Sequence, residues 1–397
     1  MILDKFLIRI KYVKISDIVH IFLFILALPC SFILKLFHKN MWLFCEDKLE
    51  ARDNAYWLFK YIREKHPEID AVYAIKPRCP NATKVQKLGK TISYGGFVHW
   101  IYYLASSKQI SSHKGGKPNA AVCYLLEISG LLKNKRVFLQ HGIIKDDLKW
   151  LYYDVCKFSL FVTTAKREYE FVENTFGYKS KQIVKLLGLC RFDNLINYKN
   201  VLKSKQILVM PTWRDWVAKT INDDSEFMET AFFKTWYSFL HNSELQEYLK
   251  KNECSLVFYP HRQMQKYISL FTSECASIII PDFKTVGVQE LLMESAFLIT
   301  DYSSIYFDFA YMEKPLLYYQ FDYKEYRQKQ YQEGYFSYEK DGFGEICYNE
   351  STLIDKIKEY YSDNFRLKKE YKDRINSFFT FHDDKNCERN FNAIKEL

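Results

Sequence analysis

At 397 residues, 48% hydrophobic and 26% charged, the chain is too long for one ordinary domain and apolar enough to bury substantial cores. Its 57 Lys and Arg against 48 acidic residues leave a formal charge of +9, favouring phospholipid headgroups, polyphosphates or nucleic acid as partners; because the positive charges are dispersed rather than gathered with aromatics into a stripe, nucleic acid is disfavoured. The ten cysteines stand apart, with no CxxC pair and no His/Cys cluster at zinc spacing, so a reduced cytosol and no metal are expected.

The first feature along the chain is IVHIFLFILALPCSFIL, residues 18–34. It is about as apolar as a membrane span but short, and His20, Pro29 and Ser31 interrupt it. Lys5, Arg9, Lys11 and Lys14 precede it and Lys35, His38 and Lys39 follow, so the basic flanks define no inner side. That symmetry predicts a helix lying in, or dipping into, one leaflet, with a single span and a buried core helix as alternatives. The 31 Tyr and 32 Phe suit both membrane interfaces and cores, and the cores are expected to take more of them.

From there, short apolar runs alternate with helical patterns, the signature of βαβ units around parallel sheets. Strands are expected at 42–45, 71–75, 109–112, 136–140, 160–163 and 183–187, with helices at 54–65, 97–106 and 166–175. In the second half, strands are expected at 206–210, 255–259, 277–280, 297–300 and 315–319, with helices at 226–240, 263–271, 288–294 and 304–312. The polar stretch at 195–204 reads as the boundary. The expected organisation is a membrane-associating segment over 1–40, α/β domains over 41–200 and 201–380, and a tail over 381–397.

Four turns could carry chemistry. Arg136-Val-Phe-Leu-Gln-His141-Gly142 is a strand ending on a histidine, whose near-neutral pKa suits a general base, although a lone His-Gly also suits a plain strand cap. Lys145 follows in a charged turn. Met210-Pro-Thr-Trp-Arg214-Asp215 places a guanidinium at a strand's carboxyl end, either to fork onto a phosphate or to close a surface turn with Asp215. Tyr259-Pro-His261-Arg262 sets an imidazole beside a guanidinium at a helix start, a diphosphate clamp or a structural start. Thr300-Asp301-Tyr302-Ser303-Ser304 runs from a strand into a helix with a serine N-cap; its hydroxyls and amides could seat a diphosphate, with Asp308 one turn on, or it could be an ordinary cap.

Gln140-His141-Gly142 with Lys145, Pro211-Thr212-Trp213-Arg214, His261, and Asp301-Tyr302-Ser303-Ser304 through Asp308-Phe309 to Glu313-Lys314-Pro315 together resemble the CDP-glycerol glycerophosphotransferases of teichoic acid and capsule synthesis, over residues 41–397. The resemblance implies a GT-B-like fold of two facing Rossmann-like domains. It makes His141 the catalytic base and assigns the donor diphosphate to Arg214, His261, Arg262, Ser303 and Ser304. Asp301, Asp308 and Lys145 become possible donor or glycerol contacts. Leu139-Gln140 stands where the family often has tryptophan before His-Gly, and Pro260-His261 reverses the usual His-Pro order. The tail Phe381-His-Asp-Asp-Lys-Asn-Cys-Glu-Arg389 resembles the family's closing segment, which commonly crosses back to the first domain.

The expected partners are a CDP-activated polyol, CDP-glycerol first, a polyprenyl-diphosphate-linked acceptor, and an anionic membrane on its cytoplasmic face. Transfer needs no cofactor, and no acidic cluster demands a metal. Ribitol-phosphate or sugar transfer by the same architecture, or a non-catalytic membrane assembly subunit, are the competing functions.

Overall fold

The computed structural model describes residues 14–221, 223–283 and 286–397; Lys5, Arg9 and Lys11 lie outside them. The chain forms two compact α/β units. One comprises the described residues up to His141, Lys149–Asp193 and Asp384–Leu397; the other comprises Gly142–Leu148 and Asn194–Asp383.

In the first unit, seven parallel strands run in the order β3-β2-β1-β4-β5-β6-β7: β1 Trp42–Cys45, β2 Ala71–Ile75, β3 Thr91–Ser93, β4 Lys108–Ser111, β5 Lys135–Phe138, β6 Leu160–Thr163 and β7 Val184–Leu186. β1, β2 and β6 read WLFC, AVYAI and LFVT because both their faces are covered. The order reverses between β1 and β4, and a crevice at such a switch point is where open α/β sheets bind ligands.

One sheet face carries helices α1 (Ile15–Phe37), α2 being the next along the chain at Asn54–Lys65 on the other face, then α3 (Phe97–Ala105) and α4 (Ala120–Ile128). α1 buries Ala27 against a cluster that includes Trp100 and Tyr103 of α3, and Trp100 Nε1 donates to His20 Nδ1 at 3.0 Å. The histidine that interrupts the apolar run is thus a docking contact. Most of α1 stays uncovered, with Phe22, Leu26, Phe32 and Phe37 exposed. At 23 residues and a mean hydropathy of 2.3 it is long and apolar enough to cross a membrane.

The opposite sheet face is closed by the C-terminal helix Asn386–Lys395, whose Phe391 and Ile394 join Trp42 and Phe59 in the core. The Asp193 carboxylate caps that helix, accepting from the Asn386 and Cys387 amides at 2.8 Å each. Gly188 lets the backbone come this close: its φ is +81°, and a Cβ there would sit 1.8 Å from Asn386 Oδ1.

The second unit has six parallel strands in the order β10-β9-β8-β11-β12-β13: β8 Lys203–Met210, β9 Ser255–Phe258, β10 Ile278–Ile279, β11 Ser295–Thr300, β12 Leu316–Tyr319 and β13 Gly344–Cys347. Its switch point lies between β8 and β11. Aromatic side chains dominate this unit's interior, Trp236, Phe258, Phe297 and Tyr319 among them.

The sequence reading does not include β3, β13, α4 or the helices Ser243–Lys251 and Glu350–Ser362. The single helix expected over 226–240 is broken into Asp224–Met228 and Ala231–His241, because Thr230 caps the second piece by accepting from the Phe233 amide at 3.1 Å. The helix expected over 263–271 is a 3₁₀ helix, Arg262–Leu270.

Candidate active site

β5 ends at Phe138, and two residues later Gln140 takes a left-handed φ of 66°, a conformation that a non-glycine side chain holds only against strain. Asn54 secures the turn by donating to the Gln140 carbonyl at 2.8 Å, and Gln140 Nε2 donates to Glu168 at 3.0 Å. Gln140, rather than the nearby Gly142, is the left-handed residue of this turn. The turn leaves His141 at the top of the sheet with 66% of its side chain exposed.

His141 Nδ1 lies 2.6 Å from Asp53 Oδ2. Asp53 sits at the N-cap of α2, and its other oxygen receives Arg191 Nη1 at 2.7 Å; the same nitrogen donates to the His141 carbonyl at 2.6 Å. Burial pushes the Asp53 pKa up, but Arg191 and then His141 more than offset it, holding the carboxyl well below its usual range. Desolvation pulls His141 down, while the Asp53 charge and hydrogen bond outweigh it and leave the imidazole above its ordinary value. With Asp53 ionised, Nδ1 is the donor and Nε2 keeps its lone pair outward, the tautomer a general base requires.

Glu46, just past β1, supports this pair from below. It accepts from the amides of Arg52 at 2.8 Å, Asp53 at 3.0 Å and Tyr56 at 2.7 Å, while Ser112 Oγ accepts from the Ala55 amide at 2.7 Å. The first amides of α2 are therefore satisfied by protein groups. Burial and the nearby Asp53 charge push Glu46 up to about 7.

His113, beyond β4, places its ring centroid 4.4 Å from that of His141 and its Nε2 3.7 Å from Asp53 Oδ2. Burial, then the neighbouring His141, push His113 down to about 4, so it is neutral at pH 7. Asp53, His113 and His141 bring one ligand-type atom each to within 4.8 Å of one another, a grouping that could hold a metal ion and that sequence spacing did not reveal. The Arg191 contact and the 2.6 Å Asp53–His141 hydrogen bond engage both Asp53 oxygens, so the pair forms an Asp–His dyad.

The second unit brings Thr212, His261 and Asp301 to the carboxyl ends of adjacent strands β8, β9 and β11. Asp301 Oδ1 accepts from the Thr212 amide at 2.8 Å and the Tyr302 amide at 2.6 Å. His261 is half-buried, donates its backbone amide to Pro211 at 3.0 Å, and stacks with Trp213 at 6.1 Å. Arg262 is exposed. Ser303 and Ser304 are half-buried ahead of α5 (Ile305–Tyr311). Ser304 holds the N-cap position without a side-chain cap bond, and Ser303 Oγ instead accepts from the Ile305 amide at 3.4 Å.

Four sequence candidates are placed differently from their expected roles. Arg214 is fully buried and does not present a fork to a ligand: it pairs with Asp301 at 2.9 Å and with Asp322 through Nε at 2.7 Å and Nη2 at 3.0 Å. Phe232, Tyr302, Phe321 and Tyr326 surround its guanidinium. Asp301 is consumed in the same cluster, and Asp308 is 2% exposed. Lys145 is buried against Asp146, which also pairs with Arg327 at 2.7 Å. Arg214, Asp301 and Lys145 are held by ion pairs within their turns, and Asp308 is buried on α5.

Asp53, Glu46, His113 and Arg191 were not singled out from sequence. Asp53 and His141 are 88 positions apart, so spacing is silent about them. A usable signal existed for two: Asp53-Asn54 reads as a helix N-cap, and Ser112-His113 follows a strand as Gln140-His141 does.

Residues 27–396 match the family described as CDP-Glycerol:Poly(glycerophosphate) glycerophosphotransferase. The chain is 35% identical over 369 residues to the minor teichoic acid biosynthesis protein GgaB of Bacillus subtilis (strain 168), covering 90% of this chain and 40% of that protein. It is 27% identical over 192 residues to the teichoic acid poly(glycerol phosphate) polymerase of the same organism, covering 48% of this chain and 24% of the polymerase. The chain thus spans well under two thirds of these relatives. Among solved structures, the wall teichoic acid polymerase TagF aligns with a TM-score of 0.69 at 15% identity over 90% of this chain and 89% of that one. Staphylococcus aureus MnaA in its UDP co-structure aligns with a TM-score of 0.56 at 11% identity over 89% and 96%. By the extent of the profile match and of the GgaB alignment, the chain belongs to the CDP-glycerol:poly(glycerophosphate) glycerophosphotransferase family.

Proposed function

We propose that this chain transfers glycerol phosphate from CDP-glycerol to a hydroxyl of a lipid-linked glycan or growing teichoic-acid-type polymer, releasing CMP. The observation that carries the reading is the Asp53–His141 dyad, which holds an exposed imidazole on a buried carboxylate beside the first unit's switch point. His141 Nε2 takes the acceptor proton, and the acceptor oxygen forms a bond to the phosphorus bearing glycerol. The bond from that phosphorus to the bridging oxygen breaks, and CMP leaves with the electron pair. Asp53 stabilises the imidazolium that results, and no covalent enzyme intermediate is required.

In this reading the donor lies on the second unit, its diphosphate met by His261, Arg262 and the Ser303–Ser304 turn. Arg214 acts indirectly, fixing Asp301 and through it the turn that carries both serines. The uncovered side of α1 rests in the cytoplasmic leaflet, where a lipid-linked acceptor and a soluble donor meet. Incubation with CDP-glycerol, CDP-ribitol and nucleotide sugars, with and without chelator, tests it. Release of CMP from CDP-glycerol in chelator is the expected result. Turnover of a nucleotide sugar alone, or loss of turnover in chelator, would replace the donor or the metal-free mechanism respectively.

A further inference from the structure

At the amino-terminal edge of β5 and β6, opposite the edge that carries His141, lies a cavity of about 380 Å³. Lys133, Lys135, Arg136, Lys157, Ser159 and Glu127 contribute to its lining. Four cations thus face one carboxylate. That carboxylate is already answered: Glu127 pairs with Arg136, lies 2.5 Å from Lys117 Nζ, and accepts from the Tyr103 hydroxyl at 2.8 Å. Lys133 and Lys135 make no ion pair among the described residues. The cavity is therefore a concentrated positive pocket, and its place at the far end of the strands separates it from the transfer site.

Its walls adjoin apolar surface. Ile128 and Leu132 line the cavity, Leu131 beside Leu132 is 73% exposed, and Leu125, one turn back on α4, is also exposed. Leu132 packs against the core cluster on which α1 docks through Ala27, Leu23 and Leu34. Exposed apolar side chains at the end of α4 therefore adjoin a basic pocket, on a unit whose α1 also leaves an apolar face uncovered. A soluble anion needs only the pocket; this combination suits a molecule with a phosphate at one end and acyl chains at the other.

We propose that this pocket binds the phosphate headgroup of an anionic membrane lipid, orienting the first unit on the bilayer. The proposal rests on the membrane reading of α1 and adds a second, polar contact to it. The full-length protein is tested by flotation with phosphatidylcholine vesicles and with vesicles of equal parts phosphatidylcholine and phosphatidylglycerol. Wild-type protein should bind both, the anionic vesicles more tightly. K133S/K135S should lose about 30-fold of the affinity for anionic vesicles, from two lysines near the surface, while its binding to phosphatidylcholine stays unchanged.

A control, K65S/K87S, removes the same charge elsewhere on the unit and should keep its preference for anionic vesicles. Equal losses in the two double variants would overturn the pocket and leave the membrane reading standing. Unchanged anionic binding of K133S/K135S would do the same. Abolition of the anionic preference by millimolar glycerol phosphate would assign the pocket to a soluble phosphate ester and overturn the lipid. Failure of the wild type to bind either vesicle would overturn the membrane reading and the pocket's role together.

Discussion

His141 and Arg214 occupy equivalent places, each in a turn at the carboxyl end of a sheet strand and each paired to an aspartate. Their surroundings differ. The histidine leaves 66% of its side chain to solvent with one ring nitrogen outward, whereas the arginine is sealed, its fork divided between Asp301 and Asp322 under four aromatic rings. A basic residue at a strand end is thus a functional candidate only if its pairing leaves an atom over. His141 spends one nitrogen on its partner; Arg214 spends its whole fork.

The comparison is broken or sharpened first at His141. His141→Ala should fold normally and lower CMP release about 10³-fold, since no group in the turn replaces the imidazole. Turnover within tenfold of wild type would remove it from the mechanism. Arg214→Ala should do the opposite, costing about 3–5 kcal/mol of stability by stranding Asp301 and Asp322, measured by denaturant unfolding. A normally stable variant that merely binds CDP poorly would restore Arg214 as a ligand.

Asp53→Asn tests the coupling within the open turn. It should lower kcat about 10–100-fold. Because Asp53 raises the His141 pKa, and the base works only when deprotonated, the acid limb of kcat/KM should lie above pH 6.5 in the wild type and move to lower pH in the variant. A limb that stays in place would separate Asp53 from the base. The smallest effect is expected at the second unit's open turn: S303A/S304A should weaken CDP binding about tenfold by calorimetry with little change in stability. Unchanged affinity would move the diphosphate elsewhere.

The parallel α/β character of both halves was legible because buried strands such as AVYAI and LFVT stand out against amphipathic helices. Short edge strands escaped: Thr91–Ser93 spans three residues, and Gly344–Cys347 reads GEIC, neither with an apolar run. At the site, each turn was visible because strand, polar cluster and helix follow within a few residues. What joins His141 to Asp53 and Arg191, or Arg214 to Asp322, is sheet order, which places distant segments side by side and leaves no local pattern. Burial was illegible for the same reason: Arg214-Asp215 looks like a solvated turn until the Phe232, Tyr302 and Tyr326 rings close over it.

The C-terminal helix has a consequence for the order of events during synthesis. The face of β1 that Phe391 and Ile394 cover, and the Asp193 carboxylate that caps their helix, belong to a unit whose other strands are complete by Leu186. Some two hundred further residues must leave the ribosome before that face can close. Until then Trp42 and Phe59 lack part of their cover, and the second unit has everything it needs to fold up to Asp383. Nascent chains arrested after residue 383 should therefore show a protease-resistant second unit beside a first unit that is still cut, and extension through Leu397 should protect both.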